Sequence, residues 1–335
     1  MFLKKTNQIF SLPGFIDLQL NGGFGYDFTT EPESIEAVAK LLPRYGVTSF
    51  LPTIVSSTID TYEKALKVFE KIKLKKPDKA ARVLGWHFEG PFFNPNRIGA
   101  HQKEKVSKIN LKLIKKWSRS KGVAMVTLAP ELKNAAEAIS ILKANGIIVS
   151  LGHSEASFEI ASAAFKNGVS LATHLFNGMP PICGRAPGPV LAALFSKNTK
   201  IGFICDGVHL HEANIKLLAK IAGRRLMLVS DALAGMGAKS KSFFLGDQKV
   251  FVQKGSSAAV LKNGKLAGSV LPYNLAVKKF FELISPTLEQ LKLITSLNQA
   301  SLLGIKKTIV GDKVILGADF SPLAVYVDGK LTYKT

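Results

Sequence analysis

Eight short runs rich in apolar and β-branched residues recur along the chain, each followed by a stretch of different texture, and this alternation restricts the fold more than any other feature. The runs are GFIDLQL (14–20), TSFLPT (48–53), ARVLGWHFE (81–89), VAMVTLA (123–129), IIVSLG (147–152), VSLATH (169–174), IGFICD (201–206) and LMLVSD (226–231). Between them lie helical patterns such as PESIEAVAKLLPRY, TYEKALKVFEKI, KNAAEAISILKAN and EASFEIASAAFKN, several followed by a glycine able to end a helix. Strands alternating with helices make βαβ units and a parallel sheet. Eight such units with right-handed crossovers close on themselves, so the sequence predicts the α/β class and a (β/α)8 barrel of the TIM type. An open doubly wound sheet is the alternative; no G-x-G-x-x-G follows the first run to support it.

The remaining segments divide around that barrel. Its domain is expected over residues 12–304, including a β insertion near 242–265, where alternating runs flank Asn263-Gly264, a pair suited to a tight hairpin. Residues 305–335, with 1–11, are expected to form a small, truncated β satellite of short antiparallel strands. A chain of 335 residues suits one barrel with such an appendage. The N-terminus lacks an apolar block ending in a small-residue cleavage site, and no run approaches membrane-spanning length, so a cytoplasmic protein without membrane contact is expected. Cys183 and Cys205 are too few for a disulfide framework and are expected as buried reduced thiols.

The formal net charge of +21 allows nucleic acid, anionic membrane or an anionic metabolite as partner. The lysines gather at 67–79 and 103–117 among apolar residues at roughly helical spacing, which reads as the solvated faces of outer helices. No interleaved aromatic and basic platform accompanies them, so no specific nucleic-acid binding is expected. A phosphorylated small molecule remains compatible.

Barrel enzymes carry their reactive groups at the C-terminal ends of the strands. Glu89 ends the third run, His153 follows the fifth, His174 ends the sixth and Asp231 ends the eighth. Any one of these is more often a satisfied core or rim residue; four on separate strand ends make that reading hard to hold. Two imidazoles and one carboxylate bind a zinc-like divalent ion and leave a position open for water, although iron(II), cobalt and manganese accept the same set. His101 and His209 fall on the rim near that set, His87 shares a strand face with Glu89 in a packing or supporting role, and His211 lies exposed beside a helix start.

An ordered series of motifs now matters: PGFIDLQLNGG (13–23), HFEGPFFNPNRIGAHQKE (87–104), LGHSEAS (151–157), THLFNGMPPICGRAPG (173–188), ICDGVHL (204–210), LVSDALAGMG (228–237) and LAGS (266–269). Through them the chain resembles the N-acetylglucosamine-6-phosphate deacetylases, a branch of the amidohydrolase superfamily, over most of its length. The resemblance implies removal of acetate from the 2-acetamido group of N-acetylglucosamine 6-phosphate. It implies that Glu89, His153 and His174 hold one divalent ion, that Asp231 moves the proton, and that His101 hydrogen-bonds the carbonyl oxygen as charge develops. The substrate contacts it implies are Ala100, His101, Asn177, Gly178, Arg185, His209, Leu266, Ala267 and Gly268, with Arg185 as the phosphate partner and His209 beside it. A homodimer is implied too, with the phosphate end of the site near the interface.

Two departures sharpen the expectation. Gln19 and Asn21 stand where many amidohydrolases carry H-x-H for a second metal, which favours one ion over two. About a dozen residues precede PGFIDLQLNGG where relatives carry several dozen, so the satellite is expected to be reduced to its C-terminal strands. Two other functions share these motifs in whole or part: a deacetylase for the galactosamine epimer, and a sugar-phosphate or nucleic-acid binding barrel without catalysis.

Overall fold

A computed structural model describes residues 9–73, 79–307 and 309–335. The eight runs become eight parallel strands, Phe15–Leu20, Val47–Val55, Trp86–Glu89, Val123–Leu128, Ile148–Leu151, Val169–Ala172, Lys200–Phe203 and Leu226–Leu228. Each pairs with the next in chain order. The third run differs from expectation: it breaks at Gly85 (φ +120°), so that Arg82–Val83 pairs with the second strand before Trp86–Glu89 begins. Between the eighth and first strands the ladder is reduced to a bridge from Leu20 to Ala232 and a 3.0 Å bond from the Asp231 N–H to the Gln19 carbonyl. Buried Asp17 helps to close this seam by accepting the N–H and hydroxyl of Ser230.

Leu51, Met125, Leu171 and Met227, from the second, fourth, sixth and eighth strands, form one cluster with Ile16 and Leu18. Contributions from alternate strands are how a barrel interior fills in layers. The opposite strand faces, through Trp86, Phe88, Val126 and Val149, pack against Tyr62, Ala138, Leu142, Ala161 and Leu218 of the surrounding helices. Each fully buried large apolar side chain in such a shell contributes roughly 1.5–3 kcal/mol. The helix Phe158–Asn167 shows how the sequence sets its ends: the Ser157 hydroxyl accepts the Ile160 N–H at 3.2 Å and Gly168 (φ +131°) stops it.

The helical reading of 103–117 is corrected: only a 3-10 turn, Lys103–Lys105, and a four-residue helix, Leu111–Ile114, form there. The segment is held against the barrel rim instead, with the Ser107 N–H on the Pro91 carbonyl and Asn110 capping the short helix. In the 67–79 run, the helix Ile59–Lys73 covers the first part and residues 74–78 lie outside the described residues. His211 is exposed but not idle, since its Nδ1 accepts the Ala213 N–H at 3.2 Å and caps Glu212–Ile221. Of the two free cysteines, Cys205 is buried, whereas Cys183 sits exposed on the loop after the sixth strand.

Two four-stranded antiparallel sheets flank the barrel. One is Phe10–Pro13, Lys313–Leu316, Pro322–Val327 and Lys330–Lys334, so an N-terminal strand joins the C-terminal ones at the edge. Arg82 ties it to the barrel through Asp312 and Asp328. The other is Ser242–Leu245, Gln248–Val252, Ala258–Leu261 and Leu266–Ser269, with Asn263 and Gly264 in its last turn. No helix among the described residues is long and apolar enough to cross a membrane.

Candidate metal centre and active site

Glu89, His153, His174 and Asp231 all arrive at one end of the barrel because each closes or follows a strand. His153 (φ +51°), His174 (φ +25°) and Asp231 (φ +48°) each hold a positive backbone angle that a residue with a Cβ rarely adopts. Such strain collects at functional sites, where the surrounding packing must enforce it. The turns redirect the side chains into a pocket of about 150 Å3 lined by Asn21, Val55, Glu89, Gly99, Ala100, His101, His153, His174, Asn177, Gly178, His209, Asp231, Leu245, Leu266 and Ala267.

Three imidazoles converge on one carboxylate. The Nε2 atoms of His174 and His153 lie 3.0 and 3.5 Å from Glu89 Oε1, and that of His101 lies 3.9 Å from Oε2. Donor atoms of Glu89, His101 and His153 all fall within 4.8 Å of one another. Burial alone would raise the Glu89 carboxyl, but the close imidazoles of His153 and His174, the latter hydrogen-bonded to it and charged, hold it well below the usual carboxylate range. Burial likewise opposes a charge on His174, but Glu89 overcomes it and raises that imidazole.

Hydrogen bonds assign the ring protons. His153 Nδ1 faces the Arg97 carbonyl at 2.8 Å and must donate to it, which leaves a lone pair on Nε2, a buried atom with no hydrogen-bond partner among the described residues. That is the form a metal ligand needs, with its other nitrogen anchored on a carbonyl. His101 is the reverse: the Ser56 backbone N–H donates to its Nδ1 at 3.1 Å, so the ring proton sits on Nε2, facing the pocket. Burial, reinforced by His153, pushes His101 down to about 3, so its ring is neutral near neutral pH. A neutral ring with its proton on Nε2 is a donor and not a ligand. The buried Nδ1 of His174 also lacks a partner among the described residues. Two imidazoles that turn Nε2 toward one carboxylate, that of His153 without a hydrogen-bond partner among the described residues, fit a borderline-soft divalent ion.

Asp231 is held by the two amides that occupy the H-x-H positions. Gln19 Nε2 donates to Glu89 Oε1 at 2.8 Å and to Asp231 Oδ1 at 3.1 Å, and Asn21 Nδ2 donates to the same Oδ1 at 2.8 Å. Burial, with the nearby charge of Glu89, raises the Asp231 carboxyl to about 7. Below the site His87 is fully buried, its Nε2 2.8 Å from the Thr127 hydroxyl, and burial pushes it down to about 4; it packs among hydroxyls as expected.

Of the anticipated contacts, Ala100, His101, Asn177, Gly178, His209, Leu266 and Ala267 line the pocket. Gly178 (φ +64°) also lets the chain approach His153, since a Cβ there would stand 2.8 Å from His153 Nδ1. Gly268 does not line it; its role is backbone clearance, as a Cβ would meet the Asp231 carbonyl at 3.0 Å. Arg185 is also elsewhere, exposed on the loop after the sixth strand and bordering a separate hollow with Arg97, Glu155 and Cys183. Ser56 and Asp206 were not foreseen. Ser56 carries no sequence signal, whereas the D-x-x-H spacing of Asp206 and His209 is visible in the chain.

The sequence matches the model of the amidohydrolase family over residues 10–282. It is 38% identical over 307 residues to N-acetylglucosamine-6-phosphate deacetylase of Danio rerio, covering 88% of this chain and 75% of that one. The fold is similar to the N-acetylglucosamine-6-phosphate deacetylase of Thermotoga maritima, with a TM-score of 0.90, 29% identity, and 97% and 89% of the two chains covered. A variant of the Mycobacterium smegmatis enzyme solved in complex with N-acetyl-D-glucosamine-6-phosphate aligns with a TM-score of 0.88 at 26% identity, covering 97% and 87%.

Proposed function

Because the chain belongs to the amidohydrolase family and, within it, to the N-acetylglucosamine-6-phosphate deacetylases, we propose that it hydrolyses N-acetyl-D-glucosamine 6-phosphate to D-glucosamine 6-phosphate and acetate. The observation that carries the mechanism is the pairing of opposite carboxyl environments in one pocket. Glu89 is kept ionised among imidazoles, whereas Asp231 is raised to about 7 by burial and the charge of Glu89. Two carboxyls driven apart in this way divide their labour between binding and proton transfer.

Glu89, His153 and His174 would hold one divalent ion, zinc fitting the set and iron, cobalt or manganese tolerated by it. Such an ion supplies Lewis-acid chemistry, acidifying a water and polarising a carbonyl. Asp231 accepts the proton of the attacking water. Both amide donors fall on its Oδ1, which leaves Oδ2 for the proton. As the water oxygen bonds to the carbonyl carbon, the Nε2–H of His101 hydrogen-bonds the carbonyl oxygen. Asp231 then returns the proton to the amide nitrogen, the C–N bond breaks, and acetate and the amine separate.

His209, Asn177, Gly178, Leu266 and Ala267 lie where the sugar phosphate would rest. Arg185 does not line this pocket within one chain, and a homodimer in which its loop reaches the partner's pocket reconciles that position with a phosphate role. An enzyme for a sugar phosphate works in the cytoplasm, where such anions are retained. The test is acetate release from N-acetylglucosamine 6-phosphate before chelation, after it, and after return of single metals, with the galactosamine epimer alongside. Release that depends on metal and favours the gluco substrate is expected; equal rates on both epimers, or binding without release, would reject this assignment.

A further inference from the structure

Asp206 follows the seventh barrel strand, Lys200–Phe203, and nothing in the reaction above uses it. Its Oδ1 accepts the backbone N–H groups of Val208 and His209 at 2.8 and 2.9 Å, so the carboxyl is locked to the turn that carries His209. Gly207 (φ +81°) permits that turn. The other oxygen, Oδ2, lies 2.6 Å from His209 Nδ1, and the two side chains are only 1% and 5% exposed. Burial alone would raise the Asp206 carboxyl; the hydrogen bond and charge of His209, with the two N–H donors, hold it below its usual range. An ionised carboxylate can only accept, so His209 Nδ1 carries a proton and the ring's other nitrogen, Nε2, is the one left to meet a ligand in the pocket.

Resting on the sugar-phosphate reading above, we propose that Asp206 is a positioning residue for the phosphorylated end of the substrate, acting through His209. The buried carboxylate fixes the ring's orientation and balances its charge. With Nδ1–H held by the carboxylate, Nε2 faces the phosphate oxygen and the two share one proton. Asp206 touches no substrate itself. Charge-assisted hydrogen bonds are roughly twice as strong as neutral ones, so the pair favours a phosphorylated over an unphosphorylated amino sugar.

Asp206→Asn tests this without dismantling the turn, because the amide oxygen still accepts both backbone N–H groups. The amide NH2 then faces His209 Nδ1 and must donate to it, which moves the ring proton to Nε2 and withdraws the counter-charge. The expected outcome is a rise in KM for N-acetylglucosamine 6-phosphate of about fivefold to tenfold, as one charge-assisted bond becomes a neutral one, exceeding the change in kcat. The value of kcat/KM for unphosphorylated N-acetylglucosamine should move much less. In a His209→Gln background, the second change should add nothing. Long-range 1H–15N spectra should show the His209 Nδ1–H lost in Asp206→Asn, and a smaller ring response to inorganic phosphate than in the unaltered protein. Equal losses on both sugars, an additive double variant, or a ring insensitive to phosphate in the unaltered protein would each overturn the proposal. Failure of the unaltered protein to release acetate would instead reject the reaction, since the ring spectra report on the pair without turnover.

Discussion

At the scale of single residues, the site is governed by which atom of each side chain is already engaged. Gln19 and Asn21 spend their amide hydrogens on Glu89 and Asp231, where imidazoles at the same positions would offer lone pairs to a second ion. That exchange supports a one-metal centre and turns the missing H-x-H from an absence into a function. Asp231→Asn should leave bound metal near one equivalent per chain but lower kcat by on the order of a hundredfold or more, because an amide cannot take the water's proton. Metal content by elemental analysis and kcat from acetate release check both halves; turnover near the original rate would remove Asp231 from its role.

At the scale of elements, Asp27 links the loop beside the first strand to the sheet that overhangs the pocket. Its Oδ1 accepts from the Thr30 N–H at 2.9 Å and from the Gly246 N–H at 3.3 Å, and Gly246 lies between Ser242–Leu245 and Gln248–Val252. Gln248 continues the link by donating to the Ala100 carbonyl, and Leu245 reaches the pocket wall. Burial raises the Asp27 carboxyl to about 7, against 3.8 ordinarily, and its buried Oδ2 has no partner among the described residues. With the folded value above the unfolded one, the folded state binds more protons between those values. The stabilisation is therefore complete below about pH 4 and lost as pH rises through about 7. Asp27→Asn should abolish this dependence. Its melting temperature relative to the unaltered protein should climb between pH 5 and pH 8, by an amount equivalent to roughly 2–3 kcal/mol, at about 1.4 kcal/mol per unit. Asp17, raised to about 6 by burial, is common to both proteins and cancels in the comparison. A difference in melting temperature that stays flat with pH would show that Asp27 is ionised throughout.

At the scale of the whole molecule, Arg185 borders a hollow other than the pocket that holds Asp231. If its loop serves a second copy, mixing Arg185→Ala with Asp231→Asn subunits should restore activity, because the mixed dimer contains one pocket with an intact aspartate and a partner's intact arginine. Acetate release should rise several-fold above either variant alone after subunit exchange. No recovery, with mixed dimers demonstrated, would place the arginine's action within its own chain or nowhere in binding. The satellite sheet bears on the same scale, since Arg82 joins the second barrel strand's Ser49 to Asp312 and Asp328 and couples barrel and satellite through one guanidinium.

The sequence by itself determined the strand order and the chemistry at the strand ends. Apolar runs of strand length, helical spacing between them and the residue types that terminate them are local properties, and they survive without knowledge of distant contacts. The lysine-rich 103–117 segment misled for the complementary reason: its helical spacing is interrupted over residues 106–110, where the Ser107 N–H bonds the Pro91 carbonyl, and helix resumes only for Leu111–Ile114 behind the cap at Asn110. Only the tertiary structure set which ring nitrogen of each histidine carries the proton. The proton on His153 is set by the carbonyl of Arg97, 56 residues away, and that on His101 by the N–H of Ser56, 45 residues away. Ring tautomers, the elevation of Asp231 and the absence of Arg185 from the pocket lining all depend on residues brought together through space, and a linear pattern carries no record of them.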